Sequence, residues 1–319
     1  MYYPYLRAKQ FELKALREFS DEYPQEKNII PILEPVKVQA GALNLAVKDM
    51  LGNGICFALV LNPKDGDFKH TTVSFKPWLQ NESHLFADEK QIEGWIPALI
   101  CSKRQINDVW ALMEQYKLSG VMLIFRSCID VEDNDMFSLI NDPRVSYVVN
   151  AFGTTVSRRL KSKLKDTKRK IIRLDDCFRS RLRNADYALE DDEFFSEEPF
   201  YYKTDEGFDG FSDYTTLPSD YIEGGMLPYA LAIHLSYKKN EDQLYVHHFV
   251  SDSNLTKNDI KGKFREAASK VAPFFADKDK TPSVDEIIAK AEESEGYPGL
   301  GYLKKLSIKN HLELVESII

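Results

Sequence analysis

Short apolar runs, each ending on a polar side chain and each followed by a helical stretch, recur roughly every 25 residues along this chain. The plainest is Asn28 to Val36, NIIPILEPV, which delivers Glu34 between two prolines at its end. CFALVLN ends on Asn62, GVMLIFR on Arg126, VSYVVN on Asn150, and IIRLDD on Asp175 and Asp176. An unbroken apolar run, as opposed to alternation, is what a parallel strand buried on both faces requires. Strands that alternate with helices through right-handed crossovers leave two contenders, a closed (β/α)8 barrel and an open doubly wound sheet. No GxGxxG loop follows the first run, which weakens the doubly wound nucleotide-binding alternative. The pattern therefore predicts an α/β fold of the (β/α)8 TIM type.

Eight strand-like runs are expected, beginning at Asn28–Val36 and continuing through Ile55–Asn62, Trp95–Cys101, Gly120–Arg126, Val145–Asn150, Lys170–Asp176 and Gly207–Tyr214 to Pro228–Tyr237. Before them, a short extended piece around Pro4 leads into a helix marked by Phe11, Ala15, Leu16 and Phe19. Residues 63–94 are longer and more polar, with room for a helix around Thr72 to Gln80. Leu244–Val250 reads as the hairpin partner of the eighth run. Two segments break the rhythm. Residues 178–206, after the sixth run, are charged, aromatic and too long for an ordinary connection, so they read as an insertion or lid. Residues 276–319 read as a C-terminal helical extension. The whole, residues 1–319, reads as a single barrel domain.

Composition bounds the partners. Lys and Arg total 42 against 50 acids, a net charge of −8, so nothing global favours nucleic acid or an anionic membrane surface. No apolar run approaches the roughly 20 residues that cross a bilayer, and MYYPYLRAKQ lacks the order of a signal peptide. A cytoplasmic protein is expected. Cys56, Cys101, Cys128 and Cys177 show no metal-ligand spacing and read as buried, reduced thiols.

Barrel enzymes work at the C-terminal ends of their strands. Those ends supply Glu34, Asn62, Arg126, Asn150, Asp175, Asp176, Asp213 and His234. Tyr5, Arg7, Lys9 and Glu12 join them if the first helix packs outside the barrel with its start at the same end. Acids facing basic groups suit a divalent ion and a phosphate held together. The sharpest reading is a phosphorylated or nucleotide-like ligand, with metal-dependent hydrolysis at phosphorus as the reaction class. Glu34 and Asp213 then serve as ligands for Mg2+ or Mn2+ or as general base. Arg7, Lys9 and Arg126 hold phosphate, Asn62, Asn150 and Asp175 line the site, and His234 is the acid. No serine elbow, HExxH or P-loop motif is present. A glycosidase pair of Glu34 and Asp213 leaves the basic groups without a role.

Plainer readings stand beside these. Glu34 pairs structurally with Lys9 or Arg7, Asp175 and Asp176 cap the next helix, and His234 is a core histidine. His247 and His248 are sequence neighbours on a strand and point to opposite faces. The basic helix Arg158–Lys165 is a solvated face or, more sharply, a polyanion-binding surface.

The segments YPYLRAKQFELKAL, IIPILEPV, GFSDYT, AIHLSY and HHFVSDSN together resemble the "beta protein" family of phage and bacterial genomes. The resemblance is carried by Tyr5, Arg7, Lys9, Glu12, Pro31, Glu34, Asp213, Tyr214, His234 and Ser251. It implies a barrel-like order of strands and helices, company with a small nuclease-like companion, and a role in phage defence, and it carries over no catalytic residues. The alternative to an enzyme is a non-catalytic scaffold that meets a protein partner through Phe194, Phe195 or Tyr201. A third reading, nucleic-acid binding by the basic helix, is opposed by the net charge.

Overall fold

The computed structural model describes residues 1–69, 76–87, 90–152, 157–223, 227–293 and 296–319. Contacts divide the chain into two compact units. The first comprises Met1–Leu13, Ser20–Asp176 and Tyr201–Asp213, and the second Lys14–Phe19, Cys177–Phe200 and Tyr214–Ile319.

The first unit is the expected (β/α)8 barrel. Its strands are Tyr5–Leu6, Ile32–Leu33, Phe57–Val60, Trp95–Ile100, Val121–Phe125, Val145–Ala151, Lys170–Leu174 and Gly210–Ser212, each hydrogen-bonded in that order to the next. Every neighbouring pair is parallel. Phe57–Val60, Trp95–Ile100 and Val121–Phe125 are buried at every position, as a strand covered on both faces must be. The N-terminal segment then draws the ends of the sheet together. Tyr2 bridges Ile29 on one side and Phe211 on the other, and the Tyr3 and Tyr5 N–H groups donate to the carbonyls of Phe211 and Asp213, both at 2.8 Å.

The strand roster differs from the expected one by a single step. The piece around Pro4 is itself the first barrel strand, so NIIPILEPV supplies the second and Gly210–Ser212 the eighth. A strand of two residues has no periodicity to read. Pro228–Tyr237, expected as the eighth strand, belongs to another sheet altogether. Its first four residues, Ala232 to Leu235, alternate between half-buried and buried and its last three, Lys238 to Asn240, are exposed, unlike the barrel strands buried at every position.

That sheet lies in the second unit. Ala232–Asn240 and Gln243–Val250 form the expected hairpin, and Asp192–Ser196 pairs antiparallel with Gln243–Val250. Residues 178–206, read as an insertion or lid, supply this third strand, a 3-10 turn at Asn184–Leu189 and the short helix Glu198–Tyr201. On one face Leu231, Ile233, Leu235, Tyr237 and Phe249 pack with Phe264, Val271, Phe275, Val284 and Ile287. These come from the helices Ile260–Ala268, Val271–Phe274 with Phe275 just past its end, and Pro282–Glu292, and Leu303 and Leu306 of Leu300–Glu316 belong to the same cluster. The helical extension is thus the other half of a core.

Smaller expectations resolve as follows. Residues 72–75 of the helix expected around Thr72 to Gln80 lie outside the described residues, and the remainder falls in the helix Lys76–Asn81. The basic helix is Arg158–Asp166, capped by the Ser157 hydroxyl. Three of its five cations are engaged: Arg159 with Glu132 at 2.6 Å, Lys161 with Glu206 at 3.0 Å, and Lys163 with the Val131 carbonyl at 2.7 Å. All four cysteines are free, but only Cys101 is buried and Cys128 is exposed. Cys128 lies past the end of its strand, in the loop, where the apolar run no longer covers it. Among the described residues no helix is long and apolar enough to cross a membrane.

Candidate functional site at the barrel mouth

Glu34 follows directly on the second barrel strand and is fully buried. A carboxylate without partners is costly in such a place, and this one has four. Its Oε2 accepts from the Tyr5 hydroxyl at 2.8 Å and from Arg7 Nη1 at 2.9 Å, and it pairs with Arg126 Nη2. Its Oε1 accepts the backbone N–H of Lys64 at 3.0 Å. These groups come from the ends of the first, third and fifth strands, which the barrel brings to one mouth.

Asp65 closes the arrangement. Its Oδ2 lies 3.2 Å from Arg126 Nη1 and 3.4 Å from Arg7 Nε, so two guanidiniums face two carboxylates. Tyr5 stands between the cations, its ring centroid 5.0 Å from the Arg7 guanidinium carbon and 5.7 Å from that of Arg126. Its hydroxyl also accepts from Arg126 Nη2 at 3.1 Å. Burial by itself would loosen the Arg126 proton, but Tyr5 and Glu34, with Asp65, outweigh it and hold the pKa above its ordinary value.

The loop that presents Asp65 is fixed by its own geometry. Gly66 has φ +62, and a Cβ there would lie 2.1 Å from the Val36 carbonyl oxygen. Asp67 then stitches this loop to the one after Glu34, its N–H donating to Val36 O at 2.9 Å and its carboxylate accepting from the Val38 N–H at 3.0 Å. On the other side of Glu34, Ala8 is left-handed at φ 50 immediately after Arg7, an uncommon conformation for a residue with a Cβ.

A second charged group lies at the ends of the seventh and eighth strands. Arg173 Nε donates to Asp175 Oδ2 at 2.6 Å, and the Asp175 N–H donates to the Ser212 carbonyl at 2.9 Å. Asp213 accepts from the Tyr2 hydroxyl at 2.7 Å. Burial raises the Asp175 pKa; Arg173 opposes that rise and the charges of Asp213 and Glu206 add to it.

Two expected ligand contacts have different parts. The Asn62 amide bonds both ways to the backbone of Ile100, each at 2.8 Å, extending the ladder past the end of the third strand. Asn150 is fully buried and its Oδ1 accepts from the Ile129 N–H at 3.2 Å, while its Nδ2 finds no acceptor. Lys9 precedes the helix Gln10–Glu22, its carbonyl accepting the Leu13 N–H at 2.9 Å. His234 lies on the antiparallel sheet of the second unit, with its Nδ1 2.8 Å from that of His248.

The plain reading of Glu34 as an ion-pair partner of Arg7 therefore holds, extended by Arg126 and Asp65. Asp65 and Tyr2 escaped the sequence reading; the only trace of Asp65 is the turn PKDGD in which it sits. Asp175 caps no helix, because none begins within eight residues of it. At Glu34, four donors already use the two carboxylate oxygens and two guanidinium charges stand beside them, and among the described residues no group of three His, Cys, Asp or Glu suited to a metal occurs. Comparisons with protein-family models, with curated proteins and with solved structures find no match for this chain.

Proposed function

We propose that the chain binds a small phosphorylated ligand at the C-terminal mouth of its barrel, with Arg7 and Arg126 as the oxyanion contacts. One observation carries this reading: two guanidiniums and a tyrosine hydroxyl are gathered on a single buried carboxylate, and Arg126 remains 27% exposed. Guanidiniums held in this way are pre-oriented to accept a two-oxygen fork. In the structure Asp65, with a side chain 18% exposed, presents such an oxygen to both of them. A phosphoryl group entering here exchanges with Asp65, so the two cations are neutralised before and after binding. The unmet Asn150 Nδ2 adds a buried donor on the adjacent strand. Asp175, its pKa raised, is the acid available at the mouth, and His234 has no role there.

The test is thermal unfolding with inorganic phosphate, glucose 6-phosphate and ribose 5-phosphate. A ligand that binds the folded state raises the midpoint by mass action. The expected result is a rise for the wild type, no rise for Arg126→Gln, and roughly tenfold tighter binding for Asp65→Asn, because the competing anion is gone. Unchanged affinity in Asp65→Asn sinks the exchange.

A second reading is favoured by the second unit, where Leu189 is 87%, Leu255 94% and Ile222 58% exposed. Large apolar side chains left in water suit a protein partner. A setting of phage defence rests on the resemblance of the N-terminal and HHFVSDSN segments. Plating efficiency on hosts carrying wild type, Arg126→Gln or Leu255→Glu separates the two: loss only in Arg126→Gln favours the ligand site, and loss only in Leu255→Glu favours the partner.

A further inference from the structure

We propose that a groove in the second unit binds a small anion built on a flat ring that carries an N–H or O–H donor, a nucleoside monophosphate being the simplest representative. The groove encloses about 550 Å3, within the range that small-molecule sites occupy. Its apolar walls are Leu182, Leu227 and Tyr229, which are 102%, 57% and 55% exposed. Three large apolar side chains left in water around one depression are covered by a flat apolar body of matching size.

Its polar groups define the rest of the ligand. Asn254 Oδ1 is buried on the groove and receives no hydrogen bond. An acceptor in that state is matched by a ring amine or hydroxyl, and leaving it unmet is costly. Among the described residues lining the groove, the charged ones are Arg183 and Lys257 and none is a carboxylate, although the chain as a whole carries a net charge of −8. Asp186 holds Arg183 through Nε and Nη2, at 3.2 and 2.7 Å, which leaves Nη1 for an anion. Lys257 Nζ stands 5.3 Å from the centroid of the Tyr229 ring, so the second cation and the aromatic wall are adjacent. A flat ring against Tyr229, its donor on Asn254 and its acid between Arg183 and Lys257 uses every feature of the groove. The groove is lined by residues of the second unit alone.

The experiment is isothermal titration of the full chain with AMP and UMP, sampling a purine and a pyrimidine, and with adenosine and inorganic phosphate as controls. At least one nucleotide is expected to bind, with adenosine at least tenfold weaker, and any heat from phosphate alone is expected to disappear in Arg126→Gln while that of the nucleotide persists. Tyr229→Ala, Asn254→Leu and Arg183→Glu should each weaken nucleotide binding at least tenfold while the far-UV spectrum and unfolding midpoint stay in place, and Arg126→Gln should leave it unchanged. Three outcomes overturn the proposal. Neither nucleotide binds, or binding survives all three groove substitutions, or it is lost in Arg126→Gln, which would assign the nucleotide to the barrel mouth.

Discussion

Glu34 is the residue at which the stability of the barrel mouth is most exposed to test. A buried charge group is weakly stabilising when complete and strongly destabilising when one member is removed. Glu34→Gln leaves Arg7 and Arg126 with Asp65 as their remaining carboxylate, so a loss of about 3–5 kcal/mol is expected. Arg126→Gln should cost less, about 1–3 kcal/mol, because its side chain is 27% exposed and water replaces part of what is lost. Urea unfolding of both variants measures the difference, and the reverse order would mean that Glu34 is not the hub. Gly66→Ala should cost at least about 2 kcal/mol, since it adds a left-handed residue and a clash 2.1 Å from the Val36 oxygen. At this scale the sequence was legible where a residue ends an apolar run, as Glu34 and Arg126 do. It was silent on Asp65, whose bond to Arg126 spans 61 positions and leaves no local pattern. Asn62 marks the limit of local reading, because an amide ending a strand looks the same whether it meets a ligand or, as here, a neighbouring backbone.

Elements with strong periodicity were readable, and the hairpin shows both the reach and the limit of that signal. Two apolar runs joined across Lys239 to Asp242 predicted the pairing, and the register sets His234 opposite His248, while His247 turns to the other face and stacks on Phe274 at 3.9 Å. Which sheet the hairpin belongs to was not written in either strand, because its third partner, Asp192–Ser196, lies in a segment without apolar rhythm. The histidine pair makes this element sensitive to acid. Burial, reinforced by the charge of His248 on His234 and of His247 and Arg181 on His248, lowers both pKa values, His248 to about 4. Tyr187 packs on both rings, and Glu193, which also pairs with Arg181, lies 3.6 Å from His248 Nε2. Unfolded histidine titrates near 6.5, so the unfolded chain takes up protons first as pH falls. The contribution of His248 is complete above about pH 6.5 and is lost progressively towards pH 4, to a total of about 3 kcal/mol. Urea midpoints from pH 7.5 to 4.5 should fall in the wild type and flatten in His248→Phe, and parallel curves would place the acid sensitivity elsewhere.

At the scale of the barrel, closure depends on a strand too short to have been recognised. A closed sheet leaves no unpaired edge for other chains to extend. Here the closure is made by Tyr2, which bridges Ile29 and Phe211, stacks on the Phe211 ring at 4.9 Å and donates its hydroxyl to Asp213. The apolar runs announced a barrel because seven strands repeat one pattern, and the eighth needed no pattern of its own once its neighbours fixed the space it fills. Two substitutions divide its contribution. Tyr2→Phe keeps the stacked ring and leaves the Asp213 oxygen short of a donor, a loss of about 1–3 kcal/mol. Tyr2→Ala also empties a fully buried aromatic site and should cost about 3–5 kcal/mol. With closure weakened, Ile32–Leu33 and Gly210–Ser212 become transient edges, so Tyr2→Ala should also associate as its concentration rises while Tyr2→Phe stays unchanged by light scattering. If Tyr2→Ala unfolds within 1 kcal/mol of the wild type and scatters no more light, the barrel is held by its other seven strands and the N-terminal segment only covers the seam.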